Sequence, residues 1–276
     1  MADQTHFAII QYDGGGFAGW QRQPEQRTVQ GVLEDGLERI TGSHRTIHAA
    51  GRTDAGVHAL GQVASFGVPD KWTSRELLRA LNAVTPQDLW IALVGEAPPG
   101  FNARKNAVAR RYRYLLGCDR DAASPFRRPF EWDLGDTVDF ERLQAAAGLF
   151  VGEHDFRSFS SVGQEKPHYR CHVVASEWQQ RPNAEGFIFH IQANRFLYRM
   201  VRFLVGVMVD VGLGKRPPDD IAALLGAANN TEASPPAPSE GLYMVGALYQ
   251  EPALRRINDF VDGLRVATPC LEPHST

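Results

Sequence analysis

Ala49-Ala50-Gly51-Arg52-Thr53-Asp54-Ala55-Gly56-Val57-His58-Ala59-Leu60-Gly61-Gln62-Val63 is the stretch on which the chain turns. A carboxylate stands two residues from an arginine, and glycines bracket both. Residues 62–68 are apolar and read as a strand. In an extended segment, residues two apart point the same way, so Arg52 and Asp54 share a face and Thr53 turns away. Gly51 and Gly56 open backbone angles closed to other residues and let another segment approach closely. A nearby guanidinium favours the ionised carboxylate. Asp54 is then a poor general acid at neutral pH, but suits a nucleophile or an electrostatic stabiliser. Taken alone, Arg-x-Asp also fits a surface turn with an exposed ion pair of about 0–1 kcal/mol.

Outward from this stretch, the periodicities give a fold. Residues 7–12 are a strand. Val29, Val32, Leu33, Leu37 and Ile40 fall at helical spacing behind Thr28 as N-cap. Residues 45–49 are a weak strand, and 62–68 follow the Asp54 loop. Thr73-x-x-Glu76 is a capping box leading into Leu77, Leu78 and Leu81. Residues 89–94 are a strand. That is the β-α-β-β-α-β, or ferredoxin-like, order. The order recurs with a strand at 111–116, a helix around Phe140, Leu143, Ala147 and Phe150 behind Asp139, and strands at 171–178 and 187–192. A long helix at 196–211, a short helix at 221–228 and a strand at 242–249 complete it. The expected fold is α+β: two ferredoxin-like halves, 1–105 and 106–252, joined in a broad, mostly antiparallel sheet with helices on one face and a central cleft. A tail, 253–276, carries Leu254, Ile257, Val261 and Leu264 at amphipathic spacing.

Composition narrows the function classes. The chain has 276 residues, 43% hydrophobic and 22% charged, which is ordinary for a globular protein. The formal net charge is −3, so nucleic-acid binding must rest on local basic patches. Cys118, Cys171 and Cys270 are far apart and outside C-x-x-C spacing, as in reduced, cytoplasmic proteins. The N-terminus lacks the apolar core of a signal peptide, and no apolar run is long enough to span a membrane. Asp13-Gly14-Gly15-Gly16-Phe17-Ala18-Gly19-Trp20 lacks the Gly-Lys-Ser/Thr ending of a P-loop and reads as a mobile loop. His168-x-x-Cys171-His172 has no second ligand pair at zinc spacing, so no metal is expected.

Two basic segments stand out. In 101–114, Arg110 and Arg111 precede Tyr112, and alternation puts Arg111 and Arg113 on one face with Tyr112 and Tyr114 on the other. Such a strand either neutralises phosphates and stacks a base, worth about 1–3 kcal/mol per base, or is an edge strand with a solvated basic face. In the helix expected at 196–211, Arg195, Arg199 and Arg202 recur at i, i+4 and i+7, with Gly206 continuing their stripe. Like charges so placed repel unless an anion covers them. The polar segment 152–169, with Ser158, Ser160, Ser161, Gly163 and Lys166, is long for a plain connection. Residues 233–240, with three prolines, form an extended linker.

Four separated strings then carry a resemblance. Gly51-Arg52-Thr53-Asp54-Ala55-Gly56-Val57-His58, Arg110-Arg111-Tyr112-Arg113-Tyr114, Met200-Val201-Arg202 and Gly241-Leu242-Tyr243 together resemble the tRNA pseudouridine synthase A family, in order along the chain. The resemblance implies that Asp54 is the catalytic nucleophile, that Arg202 pairs with it, that Tyr112 packs against the target base, and that Leu242 lies beneath that base. Arg52 is grouped with the catalytic residues as a holder of phosphate or of the extruded nucleotide. Arg110, Arg111 and Arg199 are expected to contact RNA. The implied activity converts uridine to pseudouridine at positions 38–40 in the anticodon arm of tRNA, in a cytoplasmic homodimer, without cofactor. The chain departs from the family pattern at Lys105-Asn106, where Phe-Ser is usual, and at Tyr198-Arg199, where a histidine pair is usual. An RNA-binding protein of the same fold without catalysis is the alternative. A glycoside or nucleoside hydrolase is a third class, but usually needs a second carboxylate.

Overall fold

The computed structural model describes residues 3–161, 168–182, 184–227, 229 and 232–264. Gly163, Lys166 and Cys270 lie outside the described residues. The fold is α+β, and its sheet is large and mostly antiparallel. The described residues fall into two compact units: those up to Arg110 together with those from Tyr243 onward, and Arg111–Leu242.

The first unit opens with β1 (Asp3–Tyr12), α1 (Val29–Thr41), β2 (His48–Ala49), β3 (His58–Pro69), α2 (Ser74–Val84) and β4 (Leu89–Glu96). This is the order that the periodicities predict. β1 is central, antiparallel to β3 on one side (Ile9↔Val63) and to β4 on the other (Ala8↔Val94), and β2 pairs with β3. Phe7, Ile9, Val63 and Ile91 are essentially inaccessible, so this sheet is covered by apolar side chains. The expected caps form. Thr28 Oγ1 accepts from Gly31 N at 3.2 Å. Thr73 and Glu76 satisfy each other's backbone amides.

The second unit runs β5 (Ala109–Gly117), β6 (Trp132–Asp133), α3 (Phe140–Gly148), β7 (Gly152–Asp155), β8 (Arg170–Gln180), β9 (Gly186–Ala193), α4 (Met200–Gly212) and α5 (Asp219–Ala227). β5 is followed laterally by β9, β8 and β7. α3, capped by Asp139 through Arg142 N, packs on α4. Nearly every residue of α4 is buried. A helix hydrophobic all round belongs inside a core rather than across its surface. Between β5 and β6, Glu131 is 1% exposed and accepts from Arg127 Nε at 2.6 Å and from Arg181. Arg127 also clasps both oxygens of Asp119, at 2.6 and 3.0 Å.

The chain then returns to the first unit. β10 (Leu242–Leu248) runs parallel to β3, with Tyr243 opposite His58 and Met244 opposite Ala59. α6 (Arg255–Gly263) buries Ile257 and Val261, so the tail's apolar stripe packs on the body.

Several expectations need correction. β3 starts at His58, four residues before the apolar run, because β10 pairs with its first turnward residues. A short strand, β7, occupies part of the polar segment 152–169. α4 starts at Met200 rather than 196, because Arg199 adopts a left-handed backbone (φ 59°) that ends any helix entering from its N-terminal side. Arg195, Arg199 and Arg202 therefore do not form one helical stripe. Among the described residues, no helix is long and apolar enough to cross a membrane.

Candidate active site

The Asp54 loop leaves β2 and is held at each step. Ala50 N donates to Val63 O at 2.7 Å, and Gln62 Nε2 donates to Gly51 O at 2.7 Å. Thr53 turns inward as alternation predicts. Its hydroxyl meets the Tyr12 hydroxyl at 2.8 Å, and its carbonyl accepts from Trp20 N at 3.0 Å. Asp54 O accepts from Val57 N at 3.2 Å, closing a turn in which Gly56 has φ 77°. The outcome is an exposed Arg52, a buried Thr53 and a half-buried Asp54.

The segment 13–20, expected as a mobile loop, is hydrogen-bonded along its length in this structure. Gly14–Gly16 is a 3-10 turn opened by Asp13, whose carboxylate accepts from Gly15 N at 2.9 Å. Phe17 O accepts from Gly56 N at 3.4 Å. Gly14 N donates to His58 Nδ1 at 3.0 Å. A Cβ on Gly14 would lie 2.1 Å from Val57 O, so only glycine fits. Arg27 holds the other edge of the segment. Its guanidinium bonds Gly16 O at 3.0 Å and both Asp88 oxygens at 2.7 and 2.8 Å, and it lies 4.1 Å from the Phe17 ring centroid. Hydrogen bonding to Arg27 holds the Asp88 carboxyl below its ordinary value.

Electrostatics beneath the loop are set by burial. Burial pushes the Tyr12 phenol up to about 12, against the opposing pull of its bonds to Thr53 and Gln62. Tyr12 is thus a neutral hydroxyl at any physiological pH, and supports the loop without adding charge.

Arg110 is a brace for this loop. Its Nε donates to Ala50 O at 3.2 Å, and its two terminal nitrogens to Ala107 O and Arg104 O at 3.0 and 2.6 Å. The backbone just before Arg52 is thereby tied to the turn that carries Lys105-Asn106. Within the first unit, Arg110 thus ties the backbone at Ala50, two residues before Arg52 and four before Asp54, to the 104–107 turn.

The second unit holds the other candidates. Arg111 Nε donates to Gln192 Oε1 at 2.7 Å. Tyr112 is 9% exposed and packs edge-on against Phe196, with ring centroids 5.0 Å apart. Tyr114 is fully buried, as expected, but Arg113 is only 3% exposed, so the face it shares with Arg111 is not an open basic one. Arg202 Nε donates to Ala237 O at 2.6 Å, and Ala237 N donates back to Arg202 O at 2.9 Å. One turn on, a Cβ at Gly206 would lie 2.2 Å from Pro235 O. The proline-rich segment therefore lies along the face expected to continue an arginine stripe. Arg199 is exposed, its guanidinium 5.0 Å from the Tyr198 ring centroid. Leu242 is 5% exposed and opens β10. Cys171 is buried while His172 is exposed, so they do not converge as ligands would.

Sequence reasoning missed the supports: Tyr12, Trp20, Gln62, and His58 as a partner of the glycine segment. His58 and Gln62 were visible inside the motif string. His58 meets Gly14, 44 residues away, and Gln62 reaches back across the loop to Gly51, so strand spacing gave neither a role.

A loop aspartate set in an α+β fold of split-βαβ order, with arginine- and tyrosine-bearing strands, suits an enzyme that acts on nucleosides within RNA. Comparison with known proteins gives the particular family. A family model described as tRNA pseudouridine synthase matches residues 8–104 and 146–250. A tRNA pseudouridine synthase A of Maridesulfovibrio salexigens is 41% identical over 246 residues, covering 88% of this chain and 89% of its own length. Enzymes of the same name from Limosilactobacillus fermentum and Methylococcus capsulatus are 39% and 40% identical over 245 residues. Each covers 88% of this chain, and 95% and 88% of its own length respectively. The chain belongs to the tRNA pseudouridine synthase family.

Proposed function

We propose that this chain isomerises uridine to pseudouridine in tRNA, with Asp54 as the nucleophile. Family membership supports the reaction and the substrate class. The observation that carries the role of Asp54 is its place at the head of a turn fixed on both flanks, by Trp20 and Tyr12 before it and by the Val57 amide after it. A nucleophile so held has little orientational freedom to lose at the transition state.

The reaction is balanced within the nucleoside. The N1–C1′ bond breaks, the uracil turns, and a C5–C1′ bond forms. The C5 proton leaves to solvent and N1 takes one up. Attack at C1′, addition at C6 and a route through a sugar proton all begin from an ionised carboxylate. From the family resemblance we assign Arg202 as the cationic partner of Asp54, and Arg52 as the holder of phosphate or of the extruded nucleotide. Tyr112 packs on the base, Leu242 lies beneath it, and Arg110, Arg111 and Arg199 serve the RNA backbone. Arg110 acts at least in part through the loop that it braces. Flipping a base from a stem costs a few kcal/mol, which aromatic packing and phosphate contacts offset. Water must be kept from the intermediate, or hydrolysis competes.

The target is the anticodon arm, at positions 38–40, and the protein acts as a cytoplasmic homodimer. The duplicated halves are 1–105 and 106–252, with 253–276 as a tail. The test is unmodified tRNA carrying tritium at uracil C5. Turnover releases tritium to water while the base stays attached. Free uracil would mark a hydrolase, and binding without release would mark a non-catalytic RNA binder. Asp54→Asn is expected to abolish release and to keep tRNA binding. Release at the parental rate by that variant would exclude Asp54 as the nucleophile.

A further inference from the structure

We infer that His58 is a positioning residue for Asp54, acting as the hydrogen-bond acceptor that locks the glycine turn 14–16 against the catalytic loop. The inference rests on the assignment of Asp54 above, and deepens it.

His58 is 2% exposed and opens β3. Its ring lies on Tyr243 of β10, with centroids 4.8 Å apart and planes 21° from parallel. The two residues are register partners in the parallel pair. The ring is therefore clamped in one orientation, and its Nδ1 is aimed at the Gly14 amide, 3.0 Å away.

Gly14 and Asp13 both approach that nitrogen. Gly14 N–H points to it, and Asp13 Oδ1 lies 3.2 Å from it. An Nδ1 cannot accept from one and donate to the other at once. A proton on Nδ1 would set it against the amide N–H and leave that donor unpaired, at a cost of order 1–3 kcal/mol. The Asp13 carboxylate has no such need. It already accepts from Gly15 N, and its side chain is 44% exposed. The lone pair therefore belongs on Nδ1, facing the Gly14 amide.

The consequence reaches Asp54 through the backbone. Gly14 abuts Val57 O, and Phe17 O accepts from Gly56 N, so the glycine segment braces the residues just after Asp54. Trp20, at the end of the same segment, bonds Thr53 O just before it. Among the described residues of the motif, His58 is the side chain that fastens the start of this segment. Without the acceptor, the Gly14 amide must move to find another partner, and the Asp54 turn moves with it.

The test compares His58→Asn, His58→Phe and His58→Gln. Asparagine places Oδ1 near the position of Nδ1 and keeps an acceptor for Gly14 N–H. Phenylalanine keeps the ring on Tyr243 and has no acceptor. Glutamine carries its oxygen one atom further out. A displacement of about 1 Å at the reacting group is worth up to ~100-fold in rate. His58→Phe and His58→Gln are expected to lower kcat by about 10- to 100-fold, with the KM for tRNA within about twofold. His58→Asn is expected to recover most of the loss. Amide exchange at Gly14 reads the lock itself: slow in the parent and in His58→Asn, fast in the other two. If His58→Phe fails to fold, His58→Gln carries the comparison. Parental kcat in His58→Phe and His58→Gln, or a His58→Asn as slow as they are, overturns the inference. Asp54→Asn, assayed in parallel, separates the two proposals. An inactive Asp54→Asn beside a fully active His58→Phe removes the role of His58 alone. An active Asp54→Asn removes both.

Discussion

The Tyr12 hydroxyl and the Thr53 hydroxyl meet in a place with almost no water, and each depends on the other. Tyr12→Phe deletes one partner and leaves the buried Thr53 hydroxyl to find another. A loss of about 1–2 kcal/mol is expected, measured as a lower midpoint in urea with unchanged slope. The phenol also gives a pH signature. Its folded value, about 12, lies above the ordinary value of 10, so the folded state retains a proton that the unfolded chain has lost. Its contribution is complete below pH 10 and is lost as pH rises towards about 12. Melting curves of the parent should fall more steeply across that interval than those of Tyr12→Phe. At this scale the sequence was most informative about residues whose chemistry announces itself. The inward turn of Thr53 followed from alternation. Tyr12 looked like any strand aromatic, because its partner lies 41 residues away.

Elements were legible wherever a local signal existed. Thr28, Thr73 and Asp139 each cap the helix they were expected to cap, since an N-cap needs only the next three residues. Entry into α4 depends on the left-handed turn at Arg199, and nothing in an arginine announces that. Periodicity continued backward through Phe196 and gave a helix one turn too long. The 118–131 connection was silent for a related reason: its order comes from ion pairs rather than from apolar spacing. Glu131 sits between Arg127 and Arg181 with 1% exposure. Removing one member strands buried charge, which costs more than the pair contributes. Glu131→Ala should destabilise the protein by about 3–5 kcal/mol, whereas Glu131→Gln, which keeps acceptor capacity, should lose less. Equal midpoints for the two in thermal unfolding would show that hydrogen-bond acceptance at this position plays no part.

At the scale of the molecule, a chain of net charge −3 that works on a polyanion must attract it locally. Each phosphate neutralised adds roughly 0.7–0.9 to the slope of log Kd against log salt, whatever the net charge of the protein. Arg52 is exposed beside the candidate nucleophile. Arg52→Gln is expected to reduce that slope by about 1 in a tRNA titration. An unchanged slope would assign Arg52 to the loop rather than to phosphate. The order of the longer elements was readable, because alternation and helical spacing are local, whereas the short β6 and β7 were not. How strands meet was not. The parallel pairing of β10 with β3 joins residues some 180 positions apart, as Tyr243 faces His58. Periodicity carries no information about such a neighbour.

Arg199 sits in a conformation that most side chains avoid, at a cost of roughly 1–2 kcal/mol relative to glycine. A sequence shaped only by robustness to heat would carry glycine there. Arg199→Gly should therefore melt higher than the parent and yet hold tRNA less tightly, two changes of opposite sign from one substitution. Wherever a variant library is sorted for thermal tolerance alone, position 199 is where it should drift towards a sturdier and poorer enzyme.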